Sequence, residues 1–166
     1  LVRPRVPNGE FIDNFNPLES WRGFQEGNAV QYTFFVPQHP YRLIEKVGKE
    51  EVNNRLDSIF TEARKSIFGG GKITYAFAGV ESPYNHGNQP SLHIPWLFNF
   101  SGKPYLTQKW TRLICDEFYG TNGEHGYGYG QDEDQGQLGA WYVMAAMGLF
   151  DVQGGSCERP TFQIGS

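Results

Sequence analysis

No run of about 18 apolar residues occurs anywhere in the chain, so no segment can cross a membrane as a helix. Basic charge is also scarce. Fourteen Lys and Arg stand against 18 Asp and Glu, a formal net charge of −4, without the basic excess that a nucleic-acid partner requires. Cysteine is nearly absent. Cys115 and Cys157 allow at most one optional bridge, and neither they nor the four histidines, at 39, 86, 93 and 125, match a zinc site by spacing. The start, Leu1-Val2-Arg3-Pro4-Arg5, lacks the apolar core of a secretory signal. In a piece of a longer protein that absence has no bearing on secretion.

Aromatic residues and glycine are abundant instead, at 16% and 21 residues of 166. The length suffices for one domain with a core. Most rings belong in that core, and the others can serve as flat apolar platforms for the C–H faces of sugars. Residues 1–24 are rich in Pro, Gly and Asn and read as an extended lead-in. Asn28–Val36 is apolar and reads as a buried helix or a strand, stopped by Pro37. Helices are expected over Tyr41–Val47, closed by Gly48, and over Glu50–Lys65, where Val52, Leu56, Ile59, Phe60 and Ala63 recur at helical spacing. A long loop follows to Asn88. Its triplet Gly69-Gly70-Gly71 lacks the Lys-Ser/Thr of a phosphate-binding loop. Further helices are expected over Ser91–Phe100, with Pro90 as first residue, over Lys103–Phe118, and over Gln135–Leu149, headed by Asp134. The last is apolar nearly all round, which suits burial inside something larger. Phe162–Gly165 reads as the start of a strand. The sequon Asn99-Phe100-Ser101 falls in an apolar run, which argues against its use. The pattern as a whole is all-α: antiparallel helical hairpins with long glycine-rich loops.

Three places can carry chemistry. Asp132-Glu133-Asp134 sets three carboxylates in a row. Metal binding, a raised pKa in one of them, or plain solvation at a helix N-terminus would each offset their repulsion. An EF-hand is excluded, because Gln137 and Val143 stand where the loop from Asp132 requires Gly and Glu. Glu26 is a lone carboxylate between glycines and aromatics. In an apolar site it would hold its proton, as a general acid must; alternatively it is an ordinary residue of a helix start. The segment Tyr84-Asn85-His86-Gly87-Asn88-Gln89-Pro90, with His93 beyond, offers oxygen-bearing side chains that suit a hard cation or sugar hydroxyls.

Four stretches, in order, resemble glycoside hydrolase family 92. They are Gly23-Phe24-Gln25-Glu26-Gly27-Asn28-Ala29-Val30-Gln31-Tyr32 with Phe35-Val36-Pro37; His86-Gly87-Asn88-Gln89-Pro90-Ser91-Leu92-His93; Gly102-Lys103-Pro104 with Thr107-Gln108-Lys109-Trp110; and Asp132-Glu133-Asp134-Gln135-Gly136-Gln137-Leu138-Gly139-Ala140-Trp141-Tyr142, running on through Met147-Gly148-Leu149-Phe150. The resemblance implies a calcium-dependent exo-α-mannosidase with an N-terminal β-sandwich and a C-terminal (α/α)6 barrel. Residues 1–166 would then be a fragment of that barrel, lacking the sandwich and the early barrel helices.

By the same resemblance Glu26 is the general acid, and the pair Asp132 and Asp134 contains the base that activates water. Trp21, His86, Asn88 and His93 are the implied sugar contacts. Asn88 and Gln89 are the implied calcium ligands. The implied partners are mannose-containing glycans and the rest of the same enzyme chain, with a secreted, periplasmic or cell-surface location. The family usually has Trp at the position of Val30, His-Asp at Gln38-His39 and Glu at Gln89, and a longer glycine-rich turn where Val47-Gly48 stands. Other readings are a calcium-dependent carbohydrate-binding module without catalysis, and a structural helical-pair domain. A protonated carboxyl at Glu26 separates the enzyme from the binding module, and the acidic loop and exposed aromatics weigh against the structural domain.

Overall fold

The computed structural model describes residues 1–70, 77–120, 135–154 and 162–164. Six helices dominate: α1 (Ala29–Thr33), α2 (Pro40–Val47), α3 (Lys49–Arg64), α4 (Leu97–Ser101), α5 (Pro104–Glu117) and α6 (Gln137–Ala146). Single 3₁₀ turns lie at Ile67–Gly69, Gln89–Ser91 and Ile94–Trp96. Two short strands, β1 (Leu149–Phe150) and β2 (Gln163–Ile164), pair antiparallel, Leu149 opposite Ile164. The described chain is thus all-α apart from one two-stranded ladder.

Local chemistry sets these bounds. Pro40 opens α2, where its missing N–H costs nothing. Gly48, at φ 96°, ends α2 by donating its N–H to Ile44 O and directly precedes α3, so one residue forms the whole connection. Glu50 and Glu51 begin α3 and Arg64 ends it, each on the favourable side of the helix dipole.

α3 and α5 lie side by side. Glu50 pairs with Lys103, Asp57 accepts from Lys109 Nζ and Trp110 Nε1, and Arg64 grips Glu117 with two nitrogens. Both numbers rise together along these contacts, so the two helices run parallel, with the intervening chain as the return. Between them Phe60 stacks on Trp110 at 5.3 Å and tilts against Tyr84 at 4.7 Å. Val52, Leu56, Phe98, Leu97 and Ile114 complete this dry centre. Each such side chain contributes about 1.5–3 kcal/mol by leaving water.

Two expected helices differ. Over 91–100 the structure has two 3₁₀ turns and then the short α4. Pro95, inside the expected helix, removes a backbone donor and breaks the ladder. α6 starts at Gln137, because Gln135 (φ 59°) and Gly136 (φ 76°) are both left-handed and cannot continue a helix backwards. It ends at Ala146. Gly148 (φ 74°) turns the chain so that Leu149 and Phe150 enter the ladder instead of the helix. Half of α6 is uncovered. Tyr142, Val143 and Met147 are exposed, while Leu138, Trp141 and Ala145 are buried.

Candidate active site

Glu26 sits on a tight turn before α1. Its φ of 53° is left-handed, a conformation that costs a non-glycine residue about 1–2 kcal/mol. Hydrogen bonds on both sides fix the turn. Tyr32 Oη donates to Gln25 O at 2.7 Å, and Asn88 Nδ2 donates to Glu26 O at 2.8 Å. Asn28, fully buried, follows. Its Oδ1 caps α1 by accepting from Val30 N and Gln31 N, while its Nδ2 donates to Val80 O and Ser82 O. Gln31 Nε2 adds bonds to Gly79 O and Ser82 O. Gly27 is obligatory here, since a Cβ would lie 2.8 Å from both Gln31 Oε1 and a Tyr32 ring carbon.

The Glu26 side chain itself is exposed, contrary to the apolar site expected from its neighbours. The turn directs it outward while Gly27, Asn28 and Ala29 enter the core. Its charge still reaches Tyr32, whose pKa is raised by burial first and by Glu26 second.

The structure brings Asn88 to Glu26 although 62 positions separate them in sequence. Asn88 and Gln89 are both partly buried. Asn88 spends its amide nitrogen on Glu26 and leaves its Oδ1 without a described donor. Trp21, also left-handed at φ 64°, is about half exposed and meets Phe77 edge-to-face at 5.2 Å. Among the described residues no group of three His, Cys, Asp or Glu could hold a metal. Asn88 and Gln89 could offer a metal only their amide oxygens, a ligand type that suits calcium and not zinc.

The two histidines expected to touch sugar are core residues instead. His86 is fully buried between Tyr84 Oη, 2.7 Å from Nδ1, and Tyr119 Oη, 2.8 Å from Nε2. Tyr119 donates its own proton to Leu138 O at 3.0 Å. Nε2 of His86 must therefore carry the hydrogen, and Nδ1 accepts from Tyr84. Burial lowers the His86 pKa to about 3, so the ring is neutral at ordinary pH. His93 is buried too, with Nε2 2.9 Å from Phe34 O. Its pKa falls to about 4, since burial outweighs the carbonyls of Phe34 and Pro90 that favour a charge. Both nitrogens of His86 are thus engaged by the tyrosines, and Nε2 of His93 by the Phe34 carbonyl. Asp132 and Asp134 lie outside the described residues.

Sequence reading missed Asn28, Gln31 and Tyr119, and took Tyr84 and Asn85 only as members of an oxygen-bearing segment, not as a core ring and a backbone clasp. Asn28 carried a signal, an Asn directly before an apolar run, which marks a helix cap. Tyr119 carried none. A cleft of about 360 Å³ opens near Gln89, lined also by His93, Gln137, Trp141 and Phe35. A larger hollow of about 650 Å³, between Leu1, Val30 and Ile59, holds no candidate acid or base.

The model of the glycosyl hydrolase family 92 catalytic domain matches residues 1–166. The chain belongs to glycoside hydrolase family 92. Among solved structures it is similar to a family 92 α-mannosidase from Bacteroides thetaiotaomicron, 33% identical with a TM-score of 0.74 over 99% of this chain and 19% of that one. A complex of that α-mannosidase with mannoimidazole gives 30% identity and a TM-score of 0.75, over 99% of this chain and 21% of that one. An inverting family 92 mannosidase from Bacteroides thetaiotaomicron VPI-5482 gives 33% and 0.65, over 87% of this chain and 20% of that one. The family 92 chain thus spans about a fifth of the length of these structures. Curated protein sequences give no match.

Proposed function

We propose that the enzyme to which this family 92 chain belongs hydrolyses terminal α-linked mannosides with inversion. The observation that carries this reading is the hydrogen bond from Asn88 Nδ2 to the Glu26 main-chain carbonyl, which brings the turn bearing Glu26 to the oxygen-rich segment. In the proposed step the Glu26 carboxyl gives its proton to the glycosidic oxygen as the bond to the anomeric carbon breaks. Asp132 or Asp134 takes a proton from a water whose oxygen bonds to that carbon from the opposite face. Glu26 ends as carboxylate and the Asp as acid, and solvent exchange restores both. The intervening water calls for carboxyl groups about 6.5–9.5 Å apart, where a retaining pair would need about 5–5.5 Å.

Asn88 and Gln89 would contribute oxygens to a calcium ion, whose chemistry is to bind and orient the 2- and 3-hydroxyls of mannose. Calcium takes 6–8 oxygens, so others come from sugar, water or the rest of the chain. Trp21 offers a ring face to the C–H side of a sugar. The rest of the chain would supply the β-sandwich and the remaining helices of an (α/α)6 barrel, and would enclose Glu26, which stands exposed without it. The 166-residue piece alone is then inactive. A secreted, periplasmic or cell-surface location is proposed from the family resemblance alone.

The exposure of Glu26 favours a second reading, a calcium-dependent sugar-binding module without catalysis. One experiment on the full-length protein separates the two. Nuclear magnetic resonance of an α-mannoside digest should show β-mannose forming first, with turnover stopped by a chelator and restored by calcium better than by zinc. Glu26→Gln should lose most activity on substrates with poor leaving groups, because those need protonation. α-Mannose as first product sinks the inverting mechanism, and full turnover in excess chelator removes the metal. Binding without turnover would establish the sugar-binding module.

A further inference from the structure

His86 is fully buried and Tyr119 partly buried against the core, both are polar, and no step above uses them. They join three parts of the fold. Tyr84 and His86 belong to the segment that carries Asn88; Tyr119 follows α5; Leu138 lies in the first turn of α6. Every proton in this chain of bonds has one acceptor: Tyr84 Oη–H to Nδ1, Nε2–H to Tyr119 Oη, Tyr119 Oη–H to Leu138 O. Rings hold the same joint. Trp141 of α6 lies flat against Tyr119 at 5.9 Å, meets His86 edge-on at 4.3 Å, and donates Nε1–H to Leu92 O at 2.9 Å. A hydrogen-bonded network that runs from the core at His86 to the partly buried Tyr119 is directional, unlike apolar packing, and so fixes one register between the elements it joins.

We infer that His86 and Tyr119 are a positioning pair that sets the first turn of α6 against the Asn88–Glu26 edge of the site. This rests on the mannosidase reading, because the residues that follow Asp132-Glu133-Asp134 in sequence are those the pair holds. Neither ring touches substrate in this proposal. The pair acts by keeping the first turn of α6 at one separation from the Asn88–Glu26 edge, and a displacement of about 1 Å can cost on the order of a hundredfold in rate.

The test uses full-length enzyme with Tyr119→Phe, His86→Phe and the double variant. Phe98→Leu, in the α4 core, whose ring meets Phe60 and neither His86 nor Tyr119, is the control for lost stability. Tyr119→Phe deletes one hydroxyl and keeps the ring. The expected result is a kcat lower by about tenfold to a hundredfold with KM within about twofold. The double variant should be no slower than the worse single, since both cut one link. Phe98→Leu should lower the melting temperature and leave the kcat of folded enzyme unchanged. An unchanged kcat in folded Tyr119→Phe, or an equal loss in Phe98→Leu, overturns the pair. Hydrogen exchange at residues 137–141 gives a readout without turnover. It should rise in Tyr119→Phe and not in Phe98→Leu. If the wild type cleaves no α-mannoside, the mannosidase reading fails and the exchange result alone decides: faster exchange upholds the pair, unchanged exchange rejects it.

Discussion

Between α3 and α5 the chain is held by rings, and around Glu26 it is held by side-chain amides. In the first region Phe60, Tyr84, Phe98 and Trp110 pack with centroids 4.7–6.0 Å apart, and all but Tyr84 stand on helices. In the second, Asn28, Gln31, Asn85 and Asn88 each place their amides on particular backbone groups, and Trp21 and Glu26 take left-handed φ. Ring packing is non-directional and tolerates small shifts. An amide bond specifies one carbonyl at one distance. The difference suits a scaffold beside a site: apolar burial supplies stability, and directional bonds hold strained turns where function needs them.

The comparison breaks most readily at the scaffold. Trp110→Ala removes a buried ring that packs on Phe60 and donates to Asp57. It should cost about 3–5 kcal/mol in denaturant unfolding. The Asn88–Glu26 turn should keep its geometry in whatever fraction stays folded. Loss of that turn at equal denaturant would show that the two regions are one cooperative unit.

Acid should strike the joint between the regions. His86 and His93 have folded pKa values near 3 and 4, below the ordinary 6.5. Above about 6.5 both states are neutral and stability is flat. As pH falls below 6.5 the unfolded chain takes up protons that the folded one refuses, so stability drops. The slope is about 1.4 kcal/mol per pH unit for each histidine, down to the folded values. Melting curves from pH 7 to pH 5.5 should therefore show a decline of about 2–3 kcal/mol, which His86→Phe reduces. A flat profile would mean that neither ring is buried neutral.

Sequence carried the scaffold better than the site. α3 and α5 follow from apolar spacing, because one face of each packs on the same centre. α4 did not, since Pro95 overrides its apolar run, and α6 begins where left-handed Gln135 and Gly136 allow. Glu26 and Asn88 were legible as separate motifs, but their contact depends on the return of the chain between them. His86 looked like a ligand because histidine near Asn and Gln suits a site. Only the tertiary placement of Tyr84 and Tyr119, at 2.7 and 2.8 Å, shows both nitrogens already used.

The smallest expected effect separates two functions of one residue. Asn28 caps α1 through Oδ1 and clasps the 80–82 turn through Nδ2. Asn28→Ala removes both and should cost about 1–2 kcal/mol, the usual value of a cap. Part of the clasp survives, because Gln31 Nε2 also reaches Ser82 O; Val80 O loses the bond. Asn28→Asp is the sharper change. A carboxylate keeps the acceptor that caps α1 but turns an oxygen toward two carbonyls, where no donor remains. If capping is all that Asn28 does, Asp should match Asn. If the clasp matters, Asp should be at least as destabilising as Ala, since it buries a charge against acceptors. Exchange of the Val30 and Gln31 amides reads the cap, and exchange across 78–82 reads the clasp. In Asn28→Asp the first should stay slow and the second should quicken. The opposite pattern would return the Glu26 turn to ordinary helix capping and remove the distinction between the two regions.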